Sequence, residues 1–134
     1  MKKLLSIIIF LILFLVSCTA KETKIKEAAV NAFKSVSMEE GLKLMARDTD
    51  FVLLDVRTPE EYAAGHIPGS VQLTNETFTE QDAGRLIKNK SQTIYVYCRS
   101  GRRSKQSAQK LIDFGYAKVI EIGGIIAYDG PIEK

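Results

Sequence analysis

Thr93-Ile94-Tyr95-Val96-Tyr97-Cys98-Arg99-Ser100-Gly101-Arg102-Arg103-Ser104 decides how this chain folds. Its first five residues are β-branched or aromatic and read as a strand. Cys98 stands at the strand's end. A short loop rich in Arg, with one Gly, then leads into a run of helical spacing. From Ser104 to Phe114 that run brings Ala108, Leu111 and Ile112 onto one face, and Gly115 closes it as a C-cap.

Outward from this stretch, strands and helices keep alternating. Phe33 to Val36 has the length of a short first strand. Ser37-Met38-Glu39-Glu40 is a capping box, with Ser37 as N-cap and Glu40 at the third helical position. Met38, Leu42 and Met45 follow at core spacing. Phe51 to Val56 is a nearly continuous apolar run, as a parallel strand buried on both faces requires. Thr58-Pro59-Glu60-Glu61 starts a second helix, which Gly65 ends. His66-Ile67-Pro68-Gly69 is a turn, and Ser70 to Leu73 a brief strand. Phe78-Thr79 opens a helix whose inner face is Ala83, Leu86 and Ile87. Val119 to Ile122 is the last strand, and Gly123-Gly124 turns into a short helix around Ile125 to Tyr128. The pattern predicts an α/β domain with a mostly parallel sheet covered on both faces. Ligands of such sheets bind beyond the C-terminal ends of the strands, which is where Cys98 sits.

The first residues have a different character. Lys2 and Lys3 precede an apolar run, Leu4 to Val16, broken only by Ser6. That is short for a membrane span and suits the h-region of a signal peptide. It ends in Leu15-Val16-Ser17-Cys18, which resembles the lipobox of bacterial lipoproteins. The resemblance implies that residues 1–17 are a signal peptide and that Cys18 becomes a lipidated N-terminus. The domain is then expected at the cell envelope as a membrane-anchored lipoprotein facing the periplasm or exterior. The simpler alternative is an uncleaved anchor with an incidental Cys. Thr19 gives no Asp-type inner-membrane retention signal. Residues 18–32, charged at Lys21-Glu22-Thr23-Lys24 and without Gly or Pro, read as a tether, and residues 33–134 as the folded domain.

Removing Lys2 and Lys3 leaves 17 of the 19 basic residues against 16 acidic ones, so the net charge drops from +3 to +1. This balance offers no basic footprint for nucleic acid. There are two cysteines and one histidine. With Cys18 lipidated, Cys98 has no disulfide partner, which in an exported protein points to a reactive thiol. One His and one free Cys fall short of a metal-ligand set.

The loop has the features of a thiolate site. First-turn N–H groups of the following helix have no intrahelical partners. Successive loop N–H groups form an anion nest, and Gly101 permits the backbone geometry a nest needs. Arg99, Arg102 and Arg103 add positive potential. A helix N-terminus and nearby cations lower a thiol pKa by one to several units.

Asp55-Val56-Arg57, Glu61-Tyr62, Gly65-His66-Ile67-Pro68-Gly69-Ser70, Cys98-Arg99-Ser100-Gly101-Arg102-Arg103-Ser104 and Gly123-Gly124-Ile125-Ile126-Ala127-Tyr128, in this order, resemble the single-domain rhodaneses, a sulfurtransferase family. The resemblance implies a three-layer α/β/α domain with a five-stranded sheet. It implies a cycle in which Cys98 takes sulfane sulfur from a small anionic donor, thiosulfate or a persulfide. The sulfur is held as a Cys98 persulfide and passed to a thiol or cyanide acceptor, without metal or organic cofactor. Arg99, Ser100, Gly101, Arg102 and Arg103 are the expected substrate-binding loop. Phosphatases of related fold place Arg after Cys and five residues; here Ser104 holds that place and Arg103 arrives after four, which favours sulfur over phosphoryl transfer. The family often carries Trp where this chain has Tyr128, a departure that bears on pocket shape.

Other readings stay open for the supporting residues. Asp55 and Arg57 orient loops or act in catalysis. His66 is a general base or a structural part of its turn. Arg103 binds substrate or braces the loop against Asp55 or Glu60. Ser104 hydrogen-bonds the sulfur or caps the helix. The competing function is a rhodanese-like module that binds a partner at the envelope and does no chemistry.

Overall fold

The computed structural model describes residues 32–134. The stretch expected to be a signal peptide, the lipobox-like residues with Cys18 and all of the expected tether but Ala32 lie outside the described residues. Five strands are present: β1 (Lys34–Ser35), β2 (Phe51–Asp55), β3 (Val71–Gln72), β4 (Thr93–Cys98) and β5 (Lys118–Gly124). They form one sheet in the order β1-β5-β4-β2-β3, and every neighbouring pair is parallel. The helices are α1 (Met38–Met45), α2 (Pro59–Ala64), α3 (Glu80–Leu86) and α4 (Arg102–Asp113), followed by a 3₁₀ turn at Ile125–Ala127. Among the described residues no helix is long and apolar enough to cross a membrane.

Period-two alternation along the central strands builds two cores. Leu54, Ile94, Val96, Cys98 and Val119 point to one face, where they meet Ala83 and Ile87 near α3 and Ala108, Leu111 and Ile112 of α4. Leu53, Tyr95, Tyr97 and Ile122 point to the other, where they meet Met38 of α1, with Leu42 and Met45 packed alongside. Burying both faces is what makes β2 and β4 almost continuously apolar.

Local signals set the helix starts. The Ser37 hydroxyl accepts the Glu40 N–H at 3.2 Å. Thr58 and Glu61 form a full capping box at α2, and Thr79 and Asp82 form another at α3.

Three details differ from the sequence reading. The helix after the Cys98 loop begins at Arg102, two residues before Ser104, because Gly101 takes the N-cap position. Gly123 and Gly124 close β5 rather than leaving it as a turn. Leu86 is 43% exposed, since α3 ends there and Ile87, just beyond, occupies the core position.

Candidate active site

Parallel pairing brings the C-terminal ends of β4 and β5 together, with Cys98 opposite Gly124 after a register shift beyond Val96. Residues 99–101 then double back to start α4. Gly101 has φ +110° and ψ −18°, a left-handed conformation that costs a residue with Cβ about 1 kcal/mol or more. It turns its N–H onto the Cys98 Sγ at 3.0 Å. A Cβ on Gly124 would lie 2.1 Å from the Arg99 carbonyl oxygen, so only Gly lets β5 abut the loop so closely. The Ile126 N–H donates to that same carbonyl at 3.3 Å and pins the loop to the strand end.

Burial pushes the Cys98 thiol up. Hydrogen bonding from the Ser104 hydroxyl, and then from the N–H groups of Ser104, Gly101 and Ser100, outweighs it, and the net shift is below the ordinary cysteine value. Amides and one hydroxyl therefore lead where the sequence suggested guanidinium groups. Arg99 and Arg102 are exposed. Arg103 is turned to Glu61 in a bidentate pair, Nη1 to Oε2 at 2.7 Å and Nη2 to Oε1 at 2.8 Å. Its partner is thus neither Asp55 nor Glu60. The α4 N-terminus has Arg102 and Arg103 in its first turn, no acid there and no side-chain cap. That arrangement opposes the helix dipole, and an anion in the loop relieves it.

Asp55 and Arg57 are both buried and bonded to each other. Arg57 Nε donates to both carboxylate oxygens at 3.0 Å, and Nη2 donates to Oδ2 at 2.6 Å and to the Gly65 carbonyl at 2.8 Å. The pair ties the end of β2 to the end of α2. His66 stacks on Tyr62 with centroids 3.7 Å apart. Its Nδ1 lies 2.9 Å from the Tyr62 carbonyl, and its backbone forms a bridge to Glu133. The side-chain hydrogen bonds of all three residues go to these neighbours. Ser104, at the third position of α4, is fully buried and does not cap the helix by its side chain. Its Oγ lies 3.5 Å from Cys98 Sγ.

Tyr128 is half-buried just beyond the 3₁₀ turn. With Leu42, Met45, Phe51, Ile67 and Pro68 it lines an apolar cavity of about 630 Å³, and no residue of the 98–104 loop contributes to that lining. Among the described residues no group of three His, Cys, Asp or Glu side chains is placed to hold a metal.

One residue escaped the sequence reading. Glu121 on β5 is 1% exposed. Its Oε1 accepts from Ser104 Oγ at 2.6 Å and from the Gly123 N–H at 2.8 Å, and its Oε2 accepts from Ser35 Oγ. The available signal was a single acid inside an otherwise apolar buried strand, a placement that costs free energy unless its hydrogen bonds are made.

Residues 37–129 match the family model described as the Rhodanese-like domain. The chain is 34% identical over 104 residues to the thiosulfate sulfurtransferase GlpE of Pseudoalteromonas translucida, covering 77% of this chain and 95% of that protein. It is 37% identical over 100 residues to a sulfurtransferase of Allochromatium vinosum, covering 74% and 88%. A solved structure titled as a rhodanese with anions from E. coli superposes with a TM-score of 0.58 at 30% identity, covering 63% of this chain and 98% of that one.

Proposed function

This chain belongs to the rhodanese family, and on that premise we propose that it is a sulfurtransferase that carries sulfane sulfur as a persulfide on Cys98. The observation that carries the reading is the Cys98 Sγ at the end of β4, receiving the Gly101 N–H at 3.0 Å. The ionised sulfur attacks the outer sulfur of a donor such as thiosulfate. A new S–S bond forms, the donor's S–S bond breaks, and sulfite leaves with the bonding pair. The terminal persulfide sulfur carries the negative charge, and loop N–H groups stabilise it as an oxyanion hole stabilises oxygen. Cyanide or a thiolate then takes that outer sulfur and returns the Cys98 thiolate. Arg99 and Arg102 draw small anions to the loop. Lipid on Cys18 holds the domain at the outer side of the cytoplasmic membrane.

Burial supports a second reading. Cys98 is only 1% exposed, as in a module that binds a partner and leaves its sulfur unused. Mass spectrometry separates the two. Incubation with thiosulfate is expected to add one sulfur, about 32 Da, to the Cys98 peptide of the wild type and nothing to Cys98→Ala, as a covalent intermediate on that sulfur requires. An unmodified wild-type peptide, together with no cyanide-dependent thiocyanate, leaves the binding module as the function.

A further inference from the structure

The Ser104 hydroxyl has one proton and several claimants. Its Oγ lies 2.6 Å from Glu121 Oε1, 2.9 Å from the Gly101 carbonyl and 3.3 Å from the Gly123 carbonyl. The contact to the carboxylate has the length of a charge-assisted O–H···O⁻ bond. With the proton committed there, the oxygen's lone pairs face Cys98, whose thiol donates to Oγ at 3.5 Å. The result is one directed chain: S–H to Oγ, then Oγ–H to carboxylate.

Glu121 is not explained as half of an ion pair. Its hydrogen-bond partners are two hydroxyls, Ser35 on β1 and Ser104 on α4, and the N–H of Gly123 on its own strand. On β4 it is paired with the apolar Val96. Among the described residues no Lys, Arg or His pairs with its carboxylate. The charged group that bears on Cys98 is Arg103, itself held by Glu61. A buried acid joined to a cysteine through one shared hydroxyl is well placed to move that cysteine's proton.

Resting on the sulfurtransferase reading above, we propose that Glu121 is a positioning residue that draws the Cys98 proton through Ser104 and so generates the attacking sulfur. The S–H proton passes to Oγ while the Oγ proton passes to Oε1. Two bonds to hydrogen break and two form, and the negative charge moves from the carboxylate to the sulfur. The Ser104 hydroxyl then points at the thiolate and stabilises it. The buried cluster holds one negative charge before and after, so the step needs no charge brought in from solvent.

The test is the pH dependence of Cys98 modification in the full chain by the small reagent methyl methanethiosulfonate. Following the Cys98 peptide by mass keeps Cys18 out of the count. Wild type is expected to keep a flat shoulder of reactivity on the acid side of its main rise, where the relay supplies thiolate independently of pH. Glu121→Gln, which keeps the shape and an acceptor oxygen for Ser104 and Gly123 while its amide N–H donates to the Ser35 hydroxyl, is expected to give one simple step, falling about tenfold per pH unit below its midpoint. Ser104→Ala, which breaks the relay at its middle, is expected to do the same. A purely structural Glu121 changes the melting temperature of these variants and leaves the profile's shape alone. Profiles of the wild type and Glu121→Gln that superpose overturn the proposal, and so does a wild-type profile with no shoulder, whatever the variants do. Sulfur uptake from thiosulfate is scored separately. A shoulder without uptake removes the sulfurtransferase reading and keeps the relay, and uptake without a shoulder does the reverse.

Discussion

Asp55 and Arg57 show how a single pair of side chains carries a disproportionate share of the site's order. Burial lowers the Arg57 guanidinium's hold on its proton, and the hydrogen bonds and charge of Asp55 more than restore it. Neither side chain has appreciable access to water, with 7% and 0% of their surfaces exposed. Removing one partner strands the other, and breaking a buried pair in this way costs about 3–5 kcal/mol. Asp55→Ala is therefore expected to lower the unfolding free energy obtained from urea melts by that amount and to loosen the Gly65 carbonyl that Arg57 holds. Replacing both residues with Leu is expected to recover part of the loss, because no charge is left uncompensated. If Asp55→Ala unfolds at the same urea concentration as the wild type, the pair is not holding the end of β2 to the end of α2. The motif made both residues visible in the sequence. Their direct bonding was not, because i to i+2 neighbours beyond a strand end meet only when the chain turns there.

At the scale of elements, Glu61 joins a helix start to the active-site loop. It closes the capping box of α2, with the Thr58 N–H donating to its Oε2 at 3.0 Å, and it holds Arg103 of α4. Its capping role was legible because the signal is local, four residues long. Its hold on Arg103 was not, since that partner lies 42 residues away. Glu121 was hidden for a related reason: the strand pattern was read for its apolar content, and the meaning of the acid depends on Ser104 arriving from another element. The Arg103 hydrogen bonds pull the Glu61 carboxyl down to about 2, against burial and with help from the Thr58 N–H. A carboxyl depressed in the folded state stabilises it above the unfolded value of 4.5, and that stability drains away as pH falls toward about 2. The side chain is 30% exposed, so solvent screening reduces the full linkage value to about 2 kcal/mol at neutral pH. Glu61→Gln is expected to lose this amount at pH 7 and to match the wild type at the acid end of the window. Urea melts taken between these limits check it, and a difference that stays constant with pH sinks the assignment.

For the whole molecule, alternation and continuous apolar strands were enough to give the α/β class and the parallel sheet. The strand order β1-β5-β4-β2-β3 was not readable from periodicity, which says that a strand is buried and not beside which neighbour. The order matters for function because it sets β5 beside β4 and so places Gly124 and Glu121 around Cys98. Were Cys18 lipidated as proposed, a stretch of 15 residues could span at most about 50 Å, which would confine the active site to a thin layer over the membrane. The domain's near-neutral charge gives little electrostatic adhesion of its own, so under the proposed anchoring the acyl chains would supply the attachment; one chain binds marginally and two or more hold firmly. Expressed in a bacterium with lipoprotein-processing enzymes, the wild type is expected in the membrane pellet, resistant to high salt and released by detergent, with Cys18 as its acylated first residue. Cys18→Ser is expected to lose the acyl mass and the cleavage. Wild type recovered with Met1 in place and Cys18 as a free thiol overturns the anchoring, and leaves the sulfur chemistry of Cys98 to be judged without any confinement at a membrane.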